Sequence, residues 1–330
     1  MTYSTGSPIQ ATDYNTFATL TDGMNQIYTD SYPNSTTLPA AGFGYGQSPA
    51  LLPVSINENI TAAQWASLFN TMRHCGVHQG TPIVPPLPGT APYNNINPVV
   101  NSPVISYPGV SNLITTLENN RFNLAAGQST LIPGPSFVQG GLTRGWVNSL
   151  TFNFQVDFGS WDNARYFFNS GSKVLLYGSY APVGIPTTEE SQFINMLTSM
   201  SPLVFGYNST TPYSGTGGSA VGFYDASTPL AWSTLTQSYK TIYNRARGGA
   251  YYYYSANYLL AQAKLDAAPG TNGKIDFSIA MVDADPVPMR HPKTGTTTYR
   301  VGRITSSGAV GYNGSYSVSS IGPLGGYVKT

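Results

Sequence analysis

From Trp146 onward the chain alternates between apolar and polar residues. Leu150, Phe152, Phe154, Val156 and Phe158 are spaced by polar residues, with Val147 ahead of them. A period of two sends successive side chains to opposite faces, so this stretch predicts a long strand with one apolar face. Ser160-Trp161-Asp162-Asn163 then turns the chain, and residues 164–168 read as a single helical turn. Asn169-Ser170-Gly171-Ser172 leads into a second strand, Lys173 to Tyr180. A hairpin follows further on, with Asn257 to Leu265 facing Lys274 to Val282 across residues 267–273. Within it Ile275, Phe277, Ile279 and Met281 alternate with Asp276, Ser278 and Ala280, so one face is expected to be buried. Short strand-like pieces fill the Gly-, Ser-, Thr- and Tyr-rich C-terminal stretch. The expected fold is mostly β with an α-helical N-terminal part. Its C-terminal domain is an antiparallel β-sandwich, jelly-roll-like, with one inserted helix.

The helical expectations rest on spacing and caps. Phe17, Leu20, Met24, Ile27 and Tyr28 keep one face of a first helix apolar, with Thr12 or Asp13 placed to cap its first turn. Thr61 and Gln64 form a Thr-x-x-Gln capping box, followed by the apolar stripe Trp65, Leu68, Phe69 and Met72, with Gly76 expected to stop the helix. Ser111 is expected to cap a short helix through Leu113, Ile114 and Leu117. Thr187 and Glu190 form a second box, opening a helix with Phe193, Ile194, Leu197 and Met200 on one face. Residues 82–108 hold eight prolines and no charged residue, which describes an extended arm better than a compact fold. Three segments result: a helical docking or oligomerisation domain over 1–81, a Pro-rich arm with a short helix over 82–143, and the β-sandwich over 144–330. Charge supports a division near 143. Residues 1–143 carry two basic and five acidic residues, whereas residues 144–330 carry 13 basic and nine acidic.

Composition narrows the function. Only 9% of residues are charged, against about 25% in an ordinary soluble domain. Tyr, Gly, Pro, Ser, Thr and Asn take their place. Such a surface desolvates few charges when it meets another protein copy, which suits an assembly component. The formal net charge of +1 offers no electrostatic basis for nucleic-acid or membrane-surface binding. Cys75 is the single cysteine, so no intrachain disulfide can form. No apolar run approaches a membrane span, and the N-terminal residues lack the basic and apolar regions of a secretory leader.

Two blocks of sequence resemble a known class. The first comprises Ile9-Gln10-Ala11-Thr12-Asp13-Tyr14-Asn15, Gly44-Tyr45-Gly46-Gln47, Ile60-Thr61-Ala62-Ala63-Gln64-Trp65 and His78-Gln79-Gly80-Thr81. The second runs from Phe158 through Trp161-Asp162-Asn163-Ala164-Arg165-Tyr166-Phe167-Phe168 to Gly171. Together they resemble virion structural proteins of tailed bacteriophages, of the tail, fibre and neck type found in large marine and cyanobacterial phages. The resemblance implies a place in the virion, assembly in the host cytoplasm, and partners that are copies of the chain (a trimer or hexamer) and other virion proteins. It brings no catalytic residues.

The candidate residues follow from that reading. Trp65, Phe69, His78 and Gln79, on the second helix and just after it, are expected to serve binding or subunit contact. Tyr252 and Tyr254, within a run of four tyrosines preceded by Arg245 and Arg247, form the leading candidate surface. Exposed Tyr packs well against another subunit and can stack on sugar rings, so a host-glycan adhesin is the alternative function. A polysaccharide depolymerase ranks below it, because only 14 acids occur and no carboxylate pair is recognisable. No catalytic residue, cofactor or metal is expected. His74-Cys75-x-x-His78 reads as a packed helix end, with His78 on the Gln79-Gly80-Thr81 turn. Asp283-Ala284-Asp285-Pro286 reads as a solvated strand end, with calcium as its functional alternative. Arg290-His291-x-Lys293 reads as a solvated loop.

Overall fold

The computed structural model describes residues 10–18, 24, 51–81, 107–139, 145–212, 230–246, 256–285, 292–306 and 318–330. They form two compact units. One draws on Met1–Thr130, Arg165–Ser172 and Ser306–Tyr316, the other on Leu131–Ala164, Lys173–Thr305 and Ser317–Thr330. Among the described residues no helix is long and apolar enough to cross a membrane.

The first unit is built on helices α1 (Ala11–Ala18), α2 (Ala62–Gln79) and α3 (Tyr107–Asn119). Asp13 caps α1 from inside, accepting the Gln10 N–H at 2.7 Å. Tyr14 and Phe17 bury against Trp65 of α2, edge to face at 5.5 Å in the case of Tyr14. Trp65 in turn stacks on Phe69 at 5.7 Å. The capping box at Thr61 and Gln64 is formed as expected. The helix does not stop at Gly76, however. It runs to Gln79 and ends at Gly80, whose φ of 71° is left-handed. There the Gly80 N–H reaches Val77 O and the Thr81 N–H reaches Gly76 O, which satisfies two end carbonyls. An interior glycine costs about 1 kcal/mol relative to alanine, and the burial of His78 and Gln79 beyond it offsets that cost. Likewise α3 begins before Ser111, which lies inside the helix rather than at its cap.

The second unit holds two antiparallel sheets. Eleven strands are described: β1 (Ser129–Ile132), β2 (Ser136–Gln139), β3 (Ser149–Asp157), β4 (Lys173–Pro182), β5 (Leu203–Phe205), β6 (Thr210–Pro212), β7 (Lys240–Ala246), β8 (Tyr258–Leu265), β9 (Lys274–Val282), β10 (Gly295–Ser306) and β11 (Ser320–Lys329). One sheet runs β1-β10-β4-β5-β6, with β2 also on β10, and the other runs β11-β3-β9-β8-β7. Aromatic rings fill the space between them. Phe152 of β3 stacks on Tyr299 of β10 at 5.6 Å, and Phe277 of β9 meets Phe205 of β5 edge-on at 5.3 Å.

Alternation in β3 is strict, and its apolar set is buried. The expected hairpin is present, with Leu265 opposite Ile275 and Tyr258 opposite Val282. On β9 the second face is also partly buried, because Asp276 is held by the Gln155 side chain at 2.8 Å and by Lys264 at 3.3 Å. Helix α4 (Trp161–Asn169) is longer than the single turn expected, since Ser160 Oγ accepts the Asn163 N–H and caps it. The C-terminal stretch forms the long strands β10 and β11 in place of short pieces. Helix α5 (Thr188–Met200) is the inserted helix. It packs on β4 and β8 and buries Glu189, Glu190 and Gln192 along with Phe193, Met196, Leu197 and Met200.

Candidate functional site

The second unit concentrates buried charge where α5 begins, β9 ends and β10 is about to start. The α5 capping box orients the first turn. Thr187 accepts the Glu190 N–H, and Glu190 returns Oε2 to the Thr187 N–H at 2.9 Å. The other oxygen of Glu190 accepts the Tyr180 hydroxyl at 2.8 Å, so this carboxylate is fully engaged. Its neighbour Glu189 enters the interior. From β9, Asp283 continues the strand by donating its N–H to Asn148 O at 2.7 Å. Lys293 is pinned by its own backbone, with its N–H on Trp146 O at 2.9 Å. Gly145 permits that approach, because a Cβ there would lie 2.2 Å from Lys293 O.

These segments converge on one ammonium. Lys293 Nζ lies 2.6 Å from Glu189 Oε1 and in direct contact with Asp283 Oδ2. It also donates to Val147 O at 3.2 Å and sits 5.0 Å from the centre of the Trp146 ring. The Asp285 N–H donates to Asp283 Oδ1 at 3.1 Å. Asn257 accepts the Ala284 N–H at 3.1 Å, and its amide reaches toward Glu189 Oε1 at 3.5 Å. Lys293, Asp283 and Asp285 are each 1% exposed and Glu189 2%.

Three carboxyl groups thus gather out of water around one lysine, which touches two of them. Burial first, and then its hydrogen bond with Asp283, hold the Glu189 carboxyl well above the usual range against the opposing pull of Lys293. Burial likewise raises Asp285. The oxygens of Glu189, Asp283 and Asp285 lie within 4.8 Å of one another, close enough to share a cation. Lys293 already supplies a cation in contact with two of them.

No protein-family model, curated protein or solved structure matches this chain.

The residues singled out in the sequence fall elsewhere. Trp65 and Phe69 pack inside the first unit, 8% and 2% exposed, which makes them core and leaves little of either for another copy. His78 reaches beyond its own turn, its Nε2 donating to Ser170 O at 2.8 Å, and burial pushes its pKa down to about 4. Gln79 donates to Leu117 O at 2.9 Å and accepts from the Thr81 hydroxyl. Both therefore lock the end of α2 inside the unit. Cys75 is buried, and burial pushes its thiol pKa up. Arg245 is half-buried on β7, opposite Leu259. Tyr252, Tyr254 and Arg247 lie outside the described residues, as does most of the Pro-rich segment.

Asp283 and Asp285 are not a solvated strand end, and Lys293 is not in a solvated loop. The packing of α5, Trp146 and Asn257 closes over them. Glu189 was not singled out in the sequence, and Lys293 only as part of a solvated loop. A usable signal existed: in a chain with so few charges, two Asp at the end of an apolar strand stand out.

Proposed function

We propose that this chain is a structural component of a tailed-phage virion, associated with the tail, neck or fibre, that assembles as a symmetric homo-oligomer of three or six copies. The observation that carries this reading is a surface poor in charge and dotted with large apolar side chains. Leu52, Ile56, Leu131, Val138, Val183 and Ile185 are 60% to 94% exposed, while only 9% of all residues are charged. Association of copies removes such side chains from water without stripping hydration from many ions. Closed rotational symmetry is the usual outcome for identical subunits. The phage assignment rests on the two blocks described above, which join the start of α1, the capped start and end of α2, and α4. In this reading the chain acts in the virion after assembly in the host cytoplasm, with other virion proteins as further partners. Mass photometry of the purified chain, paired with negative-stain electron microscopy, tests it. A ring or rod of three or six copies is expected. A monomer at every concentration tried would overturn the reading.

A further inference from the structure

A lysine amine in contact with an aspartate carboxyl, both out of water, with a second carboxyl on the same nitrogen, comprises the reactants and the proton carrier of amide formation. We propose that Lys293 and Asp283 join spontaneously in an intramolecular isopeptide bond from Nζ to Cγ, with Glu189 as the catalytic acid–base. The inference goes beyond the structural reading and does not depend on it.

Geometry carries the proposal. Lys293 Nζ is in contact with Asp283 Oδ2, so the nitrogen is held against the carboxyl group that it would attack. Glu189 Oε1 is 2.6 Å from the same nitrogen, within reach for proton transfer. The Asp285 N–H already points at Asp283 Oδ1, the oxygen that would carry negative charge during the reaction. Trp146 covers the nitrogen on one side, and Phe193 packs on Trp146 at 5.0 Å. Exclusion of water favours the neutral amine and neutral acid over the ion pair, and these neutral forms are the reactive ones. Burial raises the Glu189 carboxyl, which favours the protonated form that can deliver a proton.

The atoms balance without any other reactant. The ammonium passes one proton to Asp283 Oδ2, leaving an amine and a carboxylic acid. The nitrogen lone pair attacks Cγ, the N–C bond forms, and the carbonyl π pair moves onto Oδ1. Glu189 gives a proton to Oδ2 and takes one from the nitrogen, ending as it began. The Cγ–Oδ2 bond breaks with its electrons on oxygen, the π bond to Oδ1 returns, and Oδ2 leaves as water. The amide keeps one hydrogen on nitrogen. Two buried charges disappear, and the residue after β9 is tied to the segment that enters β10.

Intact-mass spectrometry of the denatured full chain tests the proposal. The expected mass is lower than that of the sequence by one water, with a branched peptide joining Asp283 to Lys293 on fragmentation. Lys293→Arg and Glu189→Gln are expected to keep the full mass. Asp283→Asn is expected to lose ammonia in place of water and reach the same final mass as the wild type. That variant retains a route to the bond, so it separates failed chemistry from failed folding. Wild-type chain at the full sequence mass would overturn the proposal. So would a lighter mass that persists in Lys293→Arg, since the water would then come from another site.

Discussion

His78 carries a stability that depends on pH. Its folded pKa, pushed down to about 4 from an ordinary 6.5, means that the folded protein holds it neutral where the unfolded chain would bind a proton. Its contribution is therefore full above pH 6.5 and is lost as pH falls toward 4, with a slope of up to about 1.4 kcal/mol per pH unit. Melting curves from pH 7 to pH 4.5 should show that slope in the wild type. They should lack this component in His78→Gln, which starts less stable because a buried contact to Ser170 is changed. If the two profiles run parallel, His78 is not held neutral. Cys75 gives a second expectation at the same level. A buried thiol with a raised pKa has little thiolate to react. A thiol reagent at pH 8 should modify it only when denaturant opens the fold, and ready labelling of the native chain would contradict that placement.

Two helices show how far local signals reach. The boxes at Thr61 and Thr187 were legible because each involves residues only three apart, and both are formed. Thr61→Ala should destabilise the first unit by about 1 kcal/mol. Thr187→Ala should cost more, because Glu190 also receives Tyr180 and a displaced Glu190 would leave that buried hydroxyl without its acceptor. Chemical denaturation of each variant, compared at equal m-value, checks the order, and equal costs would mean that Glu190 holds its place without the cap. The end of α2 was misread for a tertiary reason. Gly76 looks like a stop, yet what continues the helix is the burial of His78 and Gln79 against residues far along the chain. The stop is Gly80, where the backbone has positive φ and a Cβ would come 3.3 Å from Ala125 Cβ. Gly80→Ala should cost about 1 kcal/mol from the left-handed strain.

For the proposed assembly the low charge density makes its own prediction. An oligomer joined by apolar and hydroxyl-bearing surface has few ion pairs to screen. Its copy number should be unchanged between low salt and about 1 M salt, where the Debye length falls to about 3 Å. Dissociation on adding salt, followed by light scattering, would instead point to a charged interface. One sheet edge is built against open-ended strand pairing. Strand β11 lies at a sheet edge, where Pro323 and a register shift before Tyr327 interrupt its ladder.

The alternation in β3, the hairpin of β8 and β9 and the two capping boxes were readable in order along the chain. Each depends on spacings of a few residues, and backbone geometry converts such spacings directly into faces and ends. The buried cluster was not readable in that way. Glu189, Asp283 and Lys293 come from three separate stretches, and charged residues read locally as solvent-facing. What removes them from water is Trp146, Asn257 and the first turn of α5, brought together by the stacking of the two sheets. Local pattern set which faces are apolar. Packing between distant segments decided which charges lie beneath them and which atoms those charges touch, because burial belongs to the surroundings of a residue and not to the residue itself.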